Sequence, residues 1–103
     1  MTKILLVEDD SQIAKSLHMG LTLDGFNISH VGTVAEAWSS LSTTFYDLLL
    51  LDVNLPDGSG IELCQRVRSV GRAVPILFLS ARTDEETVVK GINFGGDDYI
   101  RKP

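Results

Sequence analysis

The feature that most constrains the fold is a set of three apolar runs in which polar and apolar residues do not alternate. A strand that faces water on one side alternates with a period of two, whereas a strand covered on both faces is apolar throughout. The runs therefore predict buried strands of a parallel sheet with helices on both faces. They lie in Lys3–Val7, Leu48–Leu51 and Val74–Leu79.

Segments with helical periodicity separate these runs. Ile13, Leu17 and Leu21 recur every four residues, which predicts a first helix. Asp9, with Gln12 three residues later, predicts the N-cap of that helix. Capping boxes, in which Ser or Thr precedes Glu by three residues, predict three further helices. They begin at Thr33, Ser59 and Thr83.

Two weaker strands, at Phe26–Val31 and Asp97–Ile100, complete the pattern. The resulting order of elements, β-α-β-α-β-α-β-α-β, is typical of an α/β domain with a parallel sheet. If the strand order is 2-1-3-4-5, right-handed crossovers place the first helix on one face and the next three on the other. A split α+β fold would require alternating strands, and the three apolar runs do not alternate.

One helix does not cover a five-stranded face, so a fifth helix is expected after Lys102-Pro103, where the sequence ends. Residues 1–103 are therefore predicted to form one domain that is truncated before its last helix. A partner chain that covers the bare face is the alternative. Because exposed apolar surface of that size favours association, we expect dimerisation, exchange of elements between copies, or low stability.

The composition excludes several functions. The net charge of −5 disfavours direct binding of nucleic acid or anionic lipid, which requires clustered Lys and Arg. A single cysteine, Cys64, excludes an internal disulfide and suits a reducing compartment. The sequence shows no signal peptide and no run of roughly 18 apolar residues that could span a membrane. These features predict a cytoplasmic protein without a membrane partner.

Three acids follow the first and third strands: Glu8, Asp9 and Asp52. In the order 2-1-3-4-5 those strands are neighbours, roughly 4.8 Å apart, and their ends meet at the edge where open α/β sheets bind ligands. Carboxylates this close repel one another, and a bound divalent cation removes the conflict. An all-oxygen ligand set favours Mg²⁺ over Zn²⁺. A group of solvated loop acids is the alternative.

Ser80 and Lys102 end the fourth and fifth strands at the same edge. Alone, Ser80 would be a turn residue and Lys102 a solvated charge. Beside three acids, the hydroxyl can donate to an anionic oxygen, and the ammonium can pair with a carboxylate or a phosphoryl group. With Asp52 as a carboxylate nucleophile and Mg²⁺ bound, this set suits phosphoryl transfer, where catalysis is positioning and neutralisation of charge.

Taken in order, four motifs resemble the receiver domain of bacterial two-component response regulators over nearly the whole chain. The last motif is most similar to regulators that carry a winged-helix DNA-binding domain downstream. The resemblance implies a flavodoxin-like, doubly wound sheet of five parallel strands. The motifs are Ile4–Asp10, Leu51–Gly60, Leu79–Ala81 and Gly95–Pro103.

The resemblance also implies an acceptor and a metal site. Asp52 corresponds to the phosphoacceptor of the family. Asp9, Asp52 and the backbone carbonyl of Asn54 correspond to the protein ligands of Mg²⁺. Glu8 corresponds to an acid that contacts the metal through water, and it replaces an Asp that is common in the family.

Three further roles follow from the resemblance. Ser80 corresponds to the switch hydroxyl, and Lys102 to the lysine that meets the phosphoryl group. Tyr99 corresponds to an aromatic residue whose ring orientation reports phosphorylation. The family commonly has a cis bond at the position of Lys102-Pro103.

The function implied by the resemblance is a phosphorylation-dependent signalling switch that is not itself an enzyme with turnover. A sensor histidine kinase gives its phosphoryl group to Asp52, and the face of strand 4, helix 4 and strand 5 is repacked. That face is also the expected homodimer surface. The alternative is a dimer formed by exchange of elements between copies, owing to the truncation. DNA and transcription would be reached only through a downstream domain that this chain lacks.

Two other functions are alternatives to this one. A haloacid-dehalogenase-like phosphatase also has a nucleophilic Asp after an apolar strand, but it needs an acid two residues later, where this chain has Asn54. A degenerate receiver would act only as a docking module, which the intact acids disfavour. We assign no chemical role to His18, on a helix, or to His30, which is expected near a strand end away from the acids.

Overall fold

The computed structural model describes residues 2–79 and the backbone of residues 80 and 98–101. Up to residue 80, strands and helices alternate as predicted, with one addition, a short hairpin after the third strand. The strands are β1 (Lys3–Val7), β2 (Asn27–Val31), β3 (Leu48–Asp52), β4 (Asn54–Leu55), β5 (Gly58–Ser59), β6 (Ile76–Ser80) and β7 (Asp98–Arg101). The described helices are α1 (Ser11–Leu23), α2 (Val34–Thr43) and α3 (Gly60–Ser69).

Five parallel strands form one sheet in the order β2-β1-β3-β6-β7, which confirms the predicted order 2-1-3-4-5. Leu51 of β3 pairs with Val7 on one side and with Phe78 on the other, so β3 is a central strand. Asp52 pairs with Leu79 and ends β3 at the carboxyl edge of the sheet. This edge is where the topology places the predicted site.

Successive side chains of the buried strands enter two different cores, one on each face of the sheet. Leu49 and Leu51 lie in the core that contains residues of α2 and α3. Leu50 lies in the core that contains Ala14 of α1. The first helix therefore covers one face and the next two cover the other, as predicted. Since both faces are covered, the successive inner positions of these strands are apolar, and no alternation appears in the sequence.

The start of α1 differs from the sequence prediction. Asp10 is the N-cap, and its Oδ1 accepts hydrogen bonds from the N–H groups of Gln12 (2.9 Å) and Ile13 (3.1 Å). The prediction of Asp9 as the cap is wrong by one residue, because a capping side chain binds the second and third N–H groups beyond it. The side chain of Asp9 therefore does not cap α1, and it belongs to the acid cluster.

A two-stranded antiparallel hairpin, β4 and β5, fills the segment that was predicted to be only a turn. Asn54 pairs with Ser59, and Leu55 pairs with Gly58. Ser59 then caps α3, since its Oγ accepts from the N–H of Ile61 at 3.1 Å. A hairpin of two residues per strand is too short to show a strand pattern in the sequence. It sets the path of the chain immediately after Asp52.

The turns at the opposite, amino edge of the sheet end α1 and follow α3. Gly25 and Gly71 adopt φ of 93° and 81°, a left-handed conformation that favours glycine after a helix. A side chain added at either position would meet no atom within 4 Å. Both glycines confirm the predicted helix ends.

Two predictions lie outside the described residues: the helix that begins at Thr83 and the Lys102-Pro103 peptide bond. Among the described residues, no helix has the length and apolar character needed to cross a membrane. β7 corresponds to the predicted strand Asp97–Ile100, displaced by one residue.

Candidate metal and phosphoacceptor site

Three carboxylates converge at the carboxyl edge of the sheet. Glu8 and Asp9 follow β1, and Asp52 ends β3. One carboxylate oxygen of each acid lies within 4.8 Å of the oxygens of the other two. Glu8 and Asp52 are buried, with 0% and 2% of their surface exposed, whereas Asp9 is exposed. The structure thus forms the predicted cluster, with two acids below the surface and one open to solvent.

Backbone N–H groups fix the conformations of the two buried acids. The N–H of Asn54 donates to Oδ1 of Asp52 at 3.2 Å, and the N–H of Asp10 donates to Oε1 of Glu8 at 3.1 Å. Each donor lies two residues after the acid that it binds. The loops that follow β1 and β3 therefore hold their acids in defined orientations toward the sheet edge.

The acid cluster fits a divalent cation of the Mg²⁺ type. Its donors are carboxylate oxygens from Glu8, Asp9 and Asp52, the ligand class that this ion prefers. Three negative charges within 4.8 Å repel one another, and a cation among them replaces that repulsion with attraction. Asp9 opens the cluster to solvent, which suits an ion that keeps several of its waters.

Two other predicted site residues, Ser80 and Asn54, lie on the same edge. Ser80 is the last residue of β6, one position beyond Leu79, which pairs with Asp52. Asn54 is exposed and begins β4, two residues after the acid whose Oδ1 its N–H binds. Ser80 and Asn54 therefore flank Asp52 from a neighbouring strand and from its own loop.

The backbone also places the predicted switch residues of the last strand. Tyr99 lies on β7 in register with Phe78, and Arg101 lies beside Ser80. Lys102 is outside the described residues, but it follows Arg101 directly in sequence. Its role stays a prediction.

Residues 4–103 match the family described as the response regulator receiver domain. The match leaves out only the first three residues of the chain. This chain belongs to the response regulator receiver domain family. Proteins of that family carry out phosphorylation-dependent signalling, and their receiver domains bind Mg²⁺ at an acidic pocket. The Glu8, Asp9 and Asp52 cluster is a pocket of that kind.

The relatives of this receiver domain include longer regulators. The probable transcriptional regulatory protein SilR of Salmonella typhimurium is 41% identical over 101 residues, which cover 98% of this chain and 44% of SilR. The chain spans about half the length of several of the curated relatives that it matches.

Solved structures show the same fold. A two-component response regulator from Clostridium difficile is 32% identical, with a TM-score of 0.95 over 100% of this chain and 84% of its own. The response regulator TrrA from Thermotoga maritima, solved in complex with Mg(2+)-BeF, is 27% identical. Its TM-score is 0.89 over 100% of this chain and 88% of its own.

His30 belongs to the acid edge of this receiver domain, so the expectation that it lies away from the acids is wrong. Its Nε2 donates to the backbone carbonyl of Glu8 at 2.7 Å. A carbonyl oxygen only accepts, so Nε2 carries the proton. The contact fastens the end of β2 to the loop that bears Glu8 and Asp9. The contact is not predictable from the sequence, because β2 alternates weakly and its pattern does not specify a register against β1.

Gly60 is a site residue that the sequence analysis missed. It begins α3, is buried, and donates its N–H to the carbonyl of Val53 at 2.8 Å. A Cβ at this position would lie 2.0 Å from the backbone carbonyl oxygen of Asp52. Only glycine therefore lets α3 begin this close to the end of β3. In the sequence it resembled an ordinary glycine of the turn.

A carboxylate outside the cluster joins the loop after Asp52 to α2. Asp57 lies between β4 and β5; its Oδ1 accepts from the N–H of Val34 at 2.7 Å, and its Oδ2 accepts from the N–H of Ala35 at 3.0 Å. The bond from Val34, and then that from Ala35, holds the pKa of Asp57 below its ordinary value. The sequence analysis had assigned this residue only to the shape of the turn.

We expect Gly60→Ala to lower the free energy of unfolding by about 1–3 kcal/mol, because the added methyl group overpacks the Asp52 backbone. Gly20→Ala is the matched control. Gly20 lies within α1 with nothing within 4 Å of an added Cβ, so this change should stabilise the fold by about 0.5–1 kcal/mol. Denaturant unfolding measures both. A Gly60→Ala variant as stable as the wild type would contradict the close approach.

We expect the carboxyl group of Asp57 to titrate below the ordinary Asp range, with the amide NMR signals of Val34 and Ala35 following it. Because the pKa is lowered in the folded state, the contact contributes stability above the unfolded-state pKa and loses it as the pH falls through the folded-state pKa. Asp57→Ala should therefore lower the melting temperature at neutral pH, and this difference from the wild type should shrink in acid. A difference that does not change with pH would contradict the assignment.

Proposed function

We propose that this receiver domain accepts a phosphoryl group on Asp52 from a sensor histidine kinase, with Mg²⁺ bound at the acid cluster. The observation that carries the proposal is the approach of three carboxylate oxygens to within 4.8 Å around a buried Asp at the end of a central strand. Burying acids beside one another is costly, and functional sites are where such clusters are concentrated. The solved Mg(2+)-BeF complex of TrrA, a protein of the same fold, supports the assignment.

The reaction is a transfer between two nucleophiles. An oxygen of Asp52 forms a bond to phosphorus while the bond from phosphorus to the histidine nitrogen of the kinase breaks. The N–H of Asn54 holds Oδ1 of Asp52, so the carboxylate meets the incoming group in a fixed orientation. In this role the domain is the substrate of a phosphotransfer and not an enzyme with turnover.

The metal would be held by the residues around Asp52. We assign Asp9, Asp52 and the backbone carbonyl of Asn54 as its protein ligands, with Glu8 acting through a water molecule. When bound, Mg²⁺ neutralises negative charge on the transferred phosphoryl group. The burial of Glu8 and Asp52 strengthens this electrostatic effect, because less water screens their charges.

The response to phosphorylation is assigned to the last two strands. The added charge of about −1.5 to −2 would be met by the hydroxyl of Ser80 and the ammonium of Lys102. Movement of Ser80 toward the phosphoryl group leaves space for Tyr99 to turn inward. The face around β6 and β7 then shifts between two pre-existing packings, and phosphorylation biases their populations.

The output is proposed to lie beyond this domain, in the cytoplasm. Several relatives are about twice as long as the chain, and SilR is named a probable transcriptional regulatory protein, which supports a downstream DNA-binding output. The face around β6 and β7 is the proposed surface for homodimer formation. Analytical ultracentrifugation with and without phosphodonor measures that association.

A phosphatase function is disfavoured by the residue two positions after Asp52. Asn54 is exposed and its amide side chain cannot act as a general acid. The other rival, a receiver that only docks a partner, does not explain why two acids are buried beside a third.

We expect wild-type protein to be labelled by radiolabelled acetyl phosphate only when Mg²⁺ is present, and Asp52→Asn to lose the label because its amide cannot form the acyl phosphate. Asp47→Asn is the control. It removes the same charge from an exposed acid in the loop before β3, and should label as the wild type does. Labelling of Asp52→Asn at the wild-type level would contradict the assignment of Asp52 as the phosphoacceptor.

We expect Asp9→Asn to raise the dissociation constant for Mg²⁺ by at least about tenfold, since it removes a charged ligand. Asp10→Asn is a matched control one residue away. It also loses one negative charge, but Asn caps helices as well as Asp does, so the start of α1 stays intact. Isothermal titration measures both constants. Equal weakening by the two variants would mean that only net charge attracts the ion.

A further inference from the structure

We propose that Asp57 is a positioning residue for the metal and phosphoacceptor site, which it serves by fastening the β4–β5 hairpin to the start of α2. The hairpin carries Asn54, the residue that holds Oδ1 of Asp52. The inference deepens the function proposed above and rests on it where it concerns Mg²⁺. Within the described part of the chain, no hydrogen bond is recorded between Asp57 and the acid cluster or Asn54.

Both oxygens of the Asp57 carboxylate take part in the contact with α2. Each oxygen accepts one hydrogen bond, from the N–H of Val34 at 2.7 Å and from the N–H of Ala35 at 3.0 Å. These are the first two N–H groups of α2, which have no acceptor within the helix. Negative charge is also favoured at a helix N-terminus. Gly58 also lies close to the start of α2, since a Cβ added there would be 3.5 Å from a methyl group of Val34.

The contact is more than a cap for α2, which already has one of its own. Oγ1 of Thr33 accepts from the N–H of Glu36 at 3.1 Å, and Ala37 anchors the helix in the core. Among the hydrogen bonds described between the hairpin and α2, those of Asp57 alone join the two. Loss of the Asp57 carboxylate would therefore free the turn of the hairpin from α2 while leaving α2 packed.

The hairpin needs an external anchor because it is so short. Its two strands have two residues each, and an isolated hairpin of that size is not stable in water. The open end, where Asn54 pairs with Ser59, continues directly into α3. Leu55, which lies beside the turn, is buried in the core. Asp57 fixes the turn at the other end. The position of Asn54 beside Asp52 therefore depends on both anchors.

Thermodynamic linkage makes the coupling between the Asp57 hydrogen bonds and Mg²⁺ binding reciprocal. If the bonds of Asp57 favour the hairpin position that binds Mg²⁺, then bound Mg²⁺ must favour those bonds by the same factor. The amides of Val34 and Ala35 should consequently exchange hydrogen more slowly when Mg²⁺ is added. A residue with only a structural role in α2 would not produce this effect.

The test compares Asp57→Ala, Asp57→Asn and Thr33→Ala in the full chain. The two Asp57 variants lose the same charge, but Asn keeps one acceptor oxygen, so the difference between them measures the hydrogen bonds. Thr33→Ala weakens the start of α2 without touching the hairpin. Melting temperatures report stability, isothermal titration reports the dissociation constant for Mg²⁺, and the amide NMR signal of Asn54 reports the hairpin without metal.

We expect Asp57→Ala to raise the dissociation constant by about tenfold, Asp57→Asn by less, and Thr33→Ala by under about twofold despite a lowered melting temperature. The amide signal of Asn54 should move in Asp57→Ala and stay in place in Thr33→Ala. Equal effects of Asp57→Ala and Thr33→Ala on the dissociation constant, or an unmoved Asn54 signal, would overturn the proposal.

Failure of the proposed function gives a different result. Wild-type protein that binds no Mg²⁺ would remove the metal assignment, and the Asn54 signal would then decide alone whether Asp57 positions the hairpin. Should Asp57→Ala fail to fold, Asp57→Asn takes its place in each comparison, with a smaller shift expected and an unmoved signal again counting against the proposal.

Discussion

Everything at the carboxyl edge of this sheet depends on holding three negative charges closer together than they would stay in water. Repulsion between Glu8, Asp9 and Asp52 must be overcome by the folding of the rest of the chain. The central strands supply that energy, because their side chains are buried on both faces and their register is fixed on both sides. The core thus maintains the cluster, and a bound divalent cation would replace repulsion between the carboxylates with attraction.

Much of this arrangement followed from the sequence, because it depends on simple periodicity. The unbroken apolar runs predicted a parallel sheet, and the assumed strand order 2-1-3-4-5 then predicted the faces covered by α1 and by α2 and α3. Acids placed directly after β1 and β3 had to meet once those strands were neighbours. Site residues that project from strand ends are predictable for this reason, since topology alone brings them together.

The features that the sequence could not reveal depend on distances between backbones. Gly60 matters because a helix begins against a carbonyl oxygen, and no pattern distinguishes it from a glycine that merely turns the chain. Asp57 matters because its turn lies against α2, which is 22 residues away in sequence. His30 reaches the acid loop through a register that a weakly alternating edge strand does not specify. Each of these three contacts is visible only in the tertiary structure.

The amino and carboxyl edges of the sheet differ in how many sequence changes their loops tolerate. At the amino edge, Gly25 and Gly71 close turns that are surrounded by open space and carry no residue of the site. At the carboxyl edge, the loops are fixed residue by residue through Glu8, Asp52, Gly60 and the hairpin. Insertions and deletions in descendants of this domain should accumulate at the first edge, where partner-specific surfaces can vary while the chemistry stays the same.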